Sequence, residues 1–293
     1  MPENFRSPLK ISIVTPSFNQ GKYIERTIRS VLLQGYPDLE YIMMDGGSTD
    51  NTPEVLRKYQ DRFAYSVSAP DKGQADAIAR GLERSTGEIM AYLNSDDLLA
   101  PGTLHFVDRF FSEHPKVDAI YSHRLAIDEH DCVIWYWILP VHLSYLHRRW
   151  DFIPQETCFW RRRLFERAGN IDASYTFAMD FDLFVRYMKI GKFVRVNRFL
   201  GAFREHSASK TSTMKETTGR PEFKQLWERN QIKWHALDPV IEPWVEELPS
   251  KQGLRFAFLR EQLPGGFAGV GYDYNDFWGG RVREAEESIP RSA

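Results

Sequence analysis

Three acidic loops follow apolar runs in the first third of the chain. Asp45 ends LEYIMMD, Asp71 follows FAYSVSAP, and Asn94-Ser95-Asp96-Asp97 ends EIMAYL. Adjacent carboxylates repel one another unless a cation or a donor-rich ligand lies among them. A hard divalent ion with oxygen ligands, completed by phosphate, is the economical solution. Each acid taken singly reads as a surface cap on a helix start. Their recurrence at successive strand ends favours a ligand site instead.

The elements that must position these loops alternate in type. KISIVT (Lys10 to Thr15) reads as a buried strand ended by Pro16, and LEYIMMD, FAYSVS and EIMAYL read as three more. Ile24, Ile28, Val31 and Leu32 recur at helical spacing, as do Ala75, Ile78, Ala79 and Leu82. Thr52 before Pro53 reads as a capping hydroxyl at a helix start, and Pro101 opens a helix towards His114. Short connections between such units favour right-handed crossovers and a parallel sheet. In such a sheet, ligands bind beyond the carboxyl ends of the strands, where all three acidic loops fall.

Beyond Asp118 the rhythm changes. DAIYSH, CVIWYW and ETCFWRR are strand-like and aromatic, MDFDLFVRYMKIG is helical, and GKFVRVNRFLGAFREH reads as strands leading into a polar loop. The expected fold class is therefore α/β: a Rossmann-like, mostly parallel sheet flanked by helices, a smaller mixed sheet, and a C-terminal helical extension. The expected division is a main domain over 1–220 and an extension over 221–293.

Composition narrows the function. Across 293 residues, 38 Lys and Arg against 40 Asp and Glu give a net charge of -2. That balance argues against a general nucleic-acid partner. Cys132 and Cys158 are too few for a disulfide framework and lack metal-ligand spacing, so both read as packing residues in a reducing cytoplasm. MPENFRSPLK has no apolar core, so no secretory signal is expected. VIWYWILPV (Val133 to Val141) is too short to span a bilayer, yet suits peripheral contact with the inner face of a membrane. No G-x-G-x-x-G follows the first strand and no G-x-x-x-x-G-K-[ST] occurs, which disfavours nicotinamide dehydrogenases and P-loop NTPases.

From Lys10 to about Ser212 the chain resembles the family 2 glycosyltransferases, inverting enzymes of the GT-A fold. The resemblance rests on an ordered series: TPSFNQGKYIERTIRSVLLQ, DGGSTDNT, DKGQADAIARG, GEIMAYLNSDD, MDFDLFVR and FREHSASKT. It implies that Thr15, Pro16 and Phe18 line a base pocket and that Asp45 and Asp71 accept hydrogen bonds from base or ribose. Acid acceptors suit uracil or thymine, whose N3–H is a donor, hence a UDP- or dTDP-sugar. Lys72, Arg204 and Lys210 would balance diphosphate charge.

Asn94-Ser95-Asp96 stands where the family carries its Asp-x-Asp metal motif. With Asn first, the resemblance leaves Asp96 as metal ligand, and Asn94 and Ser95 as donor contacts. His206 would be the second ligand of Mn2+ or Mg2+, the diphosphate and water supplying the rest. Asp180 falls on the catalytic aspartate that takes the acceptor proton, although Met179 replaces the Glu that commonly precedes it. Asp182 is a rival, but residues two apart on a helix face apart, so both cannot serve. In FIPQETCFWRRR, Gln155 and Glu156 would touch donor sugar or acceptor, and Trp160 would either stack on a sugar or fill the core. The run Arg161 to Arg163 reads as a solvated helix start.

The resemblance thus implies a metal-dependent inverting transferase, with a nucleotide-sugar donor and a glycan or lipid-linked acceptor in surface polysaccharide synthesis. The alternatives are a nucleotidyltransferase, which shares the sheet and metal chemistry, and a silent nucleotide-sugar or glycan-binding module, motivated by Asn94 and Met179. GYDYNDFWGGRVREAEE (Gly271 to Glu287) looks similar to the segment entering some sugar-cluster methyltransferase domains, which would make a fused or partner sugar-cluster enzyme domain a further expectation.

Overall fold

A computed structural model describes residues 6–233 and Asp238. The apolar runs form strands β1 Ile11–Ser17, β2 Leu39–Asp45, β3 Tyr65–Ser68 and β4 Ile89–Tyr92. Amphipathic segments form α1 Ile24–Leu32, α2 Thr52–Lys58 and α3 Gln74–Arg84, and α4 Thr103–Glu113 follows the short strand β5 Leu98–Leu99. β1 pairs in parallel with β2 and β4, and β2 with β3. Ile24, Ile28 and Val31 of α1, with Ile78 and Leu82 of α3, are fully buried, as apolar stripes laid on a sheet must be.

The second half contributes β6 Ala119–Ile127, β7 Val133–Trp137, β8 Phe159–Arg161 and β9 Phe193–Arg204. Its helices are α5 Ser144–His147, α6 Arg162–Ala168, α7 Met179–Met188, α8 Lys210–Met214 and α9 Arg220–Arg229. Strand order is β3-β2-β1-β4-β8-β6-β9-β5, with β7 paired to β6. Antiparallel pairing begins where β8 joins β4. The mixed strands expected as a smaller sheet are therefore continuous with the parallel ones. A second apolar cluster, including Leu98, Leu125, Ile127, Val133 and Phe199, lies apart from the main core. Because β1 sits between β2 and β4, the loops leaving β1 and β4 diverge and open a crevice.

Several sequence expectations are corrected in detail. Pro16 does not end β1; it pairs in register with Met44, and β4 ends opposite Val14, so the missing N–H falls where no neighbour needs it. Thr52 does not cap α2: its buried hydroxyl accepts from the Gln20 N–H at 3.0 Å, tying α2 to the loop after β1. The segment from Phe193 is one long strand rather than several. The expected solvated helix start holds only in part: α6 does begin at Arg162 and Arg163 is exposed, but Arg161 and Arg162 are half-buried. Arg161 donates to the Val117 and Phe111 carbonyls, Arg162 to that of Gly87, and Arg163 pairs with Asp118 at 2.6 Å.

A boundary after residue 220 falls inside α9, which packs on the main core. Phe223 meets Phe177 and Phe181 edge-on, Leu226 is fully buried, and Trp227 Nε1 donates to the Arg149 carbonyl. The remaining tail, including GYDYNDFWGGRVREAEE, lies outside the described residues.

Gly201 marks where β9 crosses beneath the crevice. A Cβ there would stand 2.6 Å from the Glu156 carbonyl oxygen and 3.1 Å from that of Leu98, both backbone atoms that cannot rotate away. Gly201→Ala is expected to cost about 1–3 kcal/mol, read as a lower urea midpoint with an unchanged slope.

Candidate functional site

The turn after β4 is fixed from three directions. Leu93 N–H still donates to the Val14 carbonyl at 2.8 Å, so β1 sets its height. The fully buried Thr27 hydroxyl lies 2.8 Å from both the Ser95 and Asp97 carbonyls. Asn94 accepts from Gln74 Nε2 at 2.7 Å and donates to Gln155 Oε1 at 3.2 Å, while Gln155 donates to the Tyr92 carbonyl at 2.6 Å. The Asn94 amide is thus spent largely on the turn itself.

The two acids meet opposite fates. Asp97 is buried, accepts the Arg204 backbone N–H at 2.9 Å, and takes Asn94 Nδ2 at 3.3 Å. Burial, with the Asp96 charge second, pushes its carboxyl well above the usual range. Asp96 faces the crevice with Oδ2 3.0 Å from His206 Nε2. Tyr23 backs this pair, its ring 5.0 Å from that of His206 and 4.9 Å from the Arg204 guanidinium. Asp96 and His206 offer one carboxylate and one imidazole, a donor set that suits Mn2+ or Mg2+ when phosphate and water complete the shell. No group of three or more metal-ligating side chains occurs among the described residues.

Arg204 is corrected from phosphate ligand to buried clamp. Its Nε donates to the Asp96 carbonyl at 2.8 Å, one terminal nitrogen to the Asp128 carbonyl at 2.7 Å, and it pairs with Asp131. It is 1% exposed, leaving nothing to offer a ligand.

Pro16, Phe18 and Asp71 line the crevice, Phe18 being 60% exposed. Thr15 does not: it is fully buried, its hydroxyl 3.2 Å from that of Tyr41. Asp45 is buried and takes the Ser48 N–H and the hydroxyls of Ser48 and Ser68, so a ligand reaches it only by displacing a hydroxyl. Lys72 is exposed but stands outside the crevice lining.

Asp180, also in the crevice lining, occupies the first turn of α7 and accepts the Phe181 N–H at 2.8 Å. Burial raises its pKa, and the Arg124 charge only partly offsets this. Its rival Asp182 is fully buried and bonded to Arg186 at 2.8 Å. Lys210 lines the crevice, its Nζ 3.0 Å from the Thr176 carbonyl, and burial lowers its pKa. Gln155 and Glu156 are buried behind the lining rather than in it. Glu156 grips Arg124 through two bonds of 2.9 Å, and it is Arg124 that reaches the crevice. Trp160 is core, fully buried against Tyr92, Phe184 and Tyr187.

Sequence reasoning missed Arg124, Gln74, Tyr23 and Asp151. Asp151 lies in the crevice wall one residue before the FIPQET segment, exposed to the crevice and near the Asp180 charge. The crevice holds about 1880 Å³. That exceeds the roughly 300–1,000 Å³ of a single small-ligand pocket, leaving room for two reactants.

Comparison with known proteins agrees with this geometry. The profile described as Glycosyl transferase family 2 matches residues 12–171. An uncharacterized glycosyltransferase of Nostoc sp. is 27% identical over 229 residues, 74% of this chain and 71% of that protein. A putative teichuronic acid biosynthesis glycosyltransferase, TuaG of Bacillus subtilis, is 40% identical over 90 residues, 30% of this chain and 36% of that one. The chondroitin synthase of Escherichia coli is 28% identical over 203 residues, 66% of this chain but only 28% of the synthase. Among solved structures, S. aureus TarS 1-349 in complex with UDP-GlcNAc superimposes with a TM-score of 0.64 at 16% identity, over 96% of this chain and 82% of that one. The mannosyltransferase PcManGT from Pyrobaculum calidifontis, in complex with GDP-Man and Mn2+, gives 0.58 at 18% identity, over 96% and 87%. These two likenesses concern the fold.

The clamp predicts its own disruption. Arg204→Ala leaves Asp131 and two carbonyls without their buried cation and should destabilise the fold by about 3–5 kcal/mol. Arg204→Lys should recover little of this, because one ammonium cannot span the three acceptors. Denaturant unfolding of both variants checks the pair of outcomes.

Proposed function

The chain belongs to glycosyl transferase family 2, and from that premise we propose a metal-dependent inverting transfer of a sugar from a UDP- or dTDP-sugar to a hydroxyl of a glycan or lipid-linked acceptor, in surface polysaccharide assembly. One observation carries the reading: Asp96, with His206 bonded to it from behind the lining, and the carboxylate of Asp180 face the same crevice. The first site would hold the diphosphate end of a donor through Mn2+ or Mg2+. The second stands where an acceptor would enter.

When bound, the ion supplies positive charge to the departing diphosphate. The chain's residues do the rest. Asp180 takes the acceptor proton as the hydroxyl oxygen bonds to the anomeric carbon and the bond to the diphosphate breaks on the opposite face. Its raised pKa strengthens it as a base. Lys210 adds charge near the leaving group, Asp71 and Phe18 hold the base side with Pro16, and Asn94 and Ser95 border the sugar. Uracil and thymine each present an N3–H donor to Asp71, or to Asp45 once a serine hydroxyl swings away. Arg124, oriented by Glu156, replaces Glu156 and Gln155 as the direct contact to sugar or acceptor.

No helix among the described residues is long and apolar enough to cross a membrane. Trp135 and Trp137 are half-buried, Trp137 in the crevice wall; Val141, Leu143 and Tyr145 expose the apolar surface of this region instead. We place the reaction in the cytoplasm, with those three residues meeting the inner face of the membrane.

Release of nucleoside diphosphate from UDP-, dTDP- and GDP-sugars with Mn2+, Mg2+ or EDTA tests the class. Turnover should vanish in EDTA and return with metal. Asp180→Asn should lower kcat by about 10²–10⁴-fold with nucleotide affinity kept. Donor binding without turnover, unchanged by Asp180→Asn, would instead identify a silent binding module.

The raised pKa of Asp180 also sets two signs. Activity should rise with pH along a limb above the ordinary aspartate value. At neutral pH the ionised form costs folding stability, because the fold favours its protonated form, so Asp180→Asn should melt higher than the parent while turning over less. A lower melting temperature for this variant would contradict the raised pKa of this carboxyl.

A further inference from the structure

The crevice has two walls of opposite charge. One carries the acids Asp71, Asp96, Asp97, Asp151 and Asp180. The other is built from α8, the π-turn after it, α9 and the residues that follow; its lining includes Lys215, Arg220, Lys224 and Lys233 against one acid, Glu228. All three lysines are exposed, and their ammonium groups make no hydrogen bond or ion pair among the described residues. From 210 to 233 the chain has six Lys and Arg against three Glu, within a protein of net charge -2. One of those glutamates, Glu222, is turned away to cap α7's approach, accepting the N–H groups of Thr176, Phe177 and Ala178 at 2.8 Å each.

Aromatic faces are set among these cations. Phe177, Phe223 and Trp227 line the same wall, Phe223 and Trp227 stacked with centroids 6.2 Å apart. Apolar ring faces suit the C–H faces of sugars, and unpaired ammonium groups between them suit anionic substituents. A neutral glycan would leave the positive surplus of this wall unbalanced along its path, since Glu228 is its one acid, and a nucleotide donor has its own acidic half of the crevice. The geometry points to an acceptor that is an anionic glycan, a chain of sugars bearing carboxylate or phosphate groups, laid across Lys215, Lys224 and Lys233. This deepens the transferase reading and rests on it for the word acceptor, whereas the binding itself does not depend on catalysis.

Binding is therefore tested without donor. The probes are oligogalacturonate, its fully methyl-esterified neutral counterpart, inorganic polyphosphate of similar length, and a single-stranded oligonucleotide, titrated against the full chain at rising salt. Oligogalacturonate, polyphosphate or both should bind, with affinity falling as salt rises, and the neutral ester should bind at least tenfold more weakly. Whichever charged probe binds assigns carboxylate or phosphate. In K215Q/K224Q/K233Q the affinity for that probe should fall at least tenfold and the salt slope should flatten.

Equal binding of charged and neutral oligomers would overturn the proposal. So would tighter binding of the oligonucleotide, or polyphosphate binding that nucleoside diphosphate abolishes and the three substitutions leave untouched. Surface Lys→Gln changes should leave the melt almost unmoved; were the triple variant unstable, the salt dependence and the ester comparison on the parent protein decide alone. Absent nucleotide release with intact anionic binding would sink the transferase reading and spare this one, and the reverse pattern would do the opposite.

Discussion

Two neighbouring carboxyl groups at the end of one strand cannot both keep an ordinary charge in the same place, and the site is organised around that conflict. Asp97 turns inward, where burial raises its pKa; Asp96 turns to the crevice with His206 bonded to it. The turn that separates them needs partners from distant segments. Thr27 comes from the first helix, Gln155 from the middle of the chain, and Arg204 from the last strand. Register makes the last of these possible. Leu98 and Leu99 pair with Ala202 and Gly201, so the strand that delivers Arg204 is anchored just beyond the turn it clamps. Gly201 fits because backbone from two other segments already fills the space where a side chain would go.

The same economy governs the catalytic side. Glu156 is buried and would be costly as a lone charge, but its two bonds to Arg124 convert that burden into a guanidinium aimed at the crevice. Arg124 in turn partly offsets the burial that raises Asp180. Asp151 adds a further carboxyl facing the same crevice, and neighbouring like charges disfavour one another's ionised forms. A base with an elevated pKa is useful for taking a proton and expensive for holding a fold. The stability given up at this corner is supplied by the apolar packing of Phe181, Leu183, Phe184 and Val185 beneath it.

The sequence made the frame legible because frame and periodicity are the same information. LEYIMMD is a strand from its first residue to its last, and the acidic loops do gather beyond the strand ends. Of the acids that motif order singled out, Asp71, Asp96 and Asp180 share one crevice, while Asp45 is buried beneath its serine partners. What it could not convey is direction. Trp160 and Arg204 carry the chemistry of a sugar platform and a phosphate clamp, yet both point into the protein, since strand pairing decides which side of a residue is solvent. Arg124 and the lysine wall were hidden because each is ordinary in its own segment, acquiring a role only when segments far apart in sequence meet.

On the proposed reading, the pairing of Asp96 with His206 also orders events. Two side chains are too few to retain Mg2+ or Mn2+ strongly, since a hard ion needs several more oxygen ligands. The diphosphate of a donor has those oxygens, so ion and donor stabilise each other and neither gains much alone. An acidic half that charges itself with metal only when donor arrives keeps its negative potential until then. The basic wall opposite is under no such condition. An anionic acceptor could be drawn to it at any time, while its own charge would keep it from the acidic half, and a divalent ion arriving with the donor, held by Asp96 and His206, would lessen that repulsion. The opposed walls thus favour an acceptor that waits at the mouth and advances to Asp180 only after the donor site is filled, an arrangement that limits loss of the activated sugar to water.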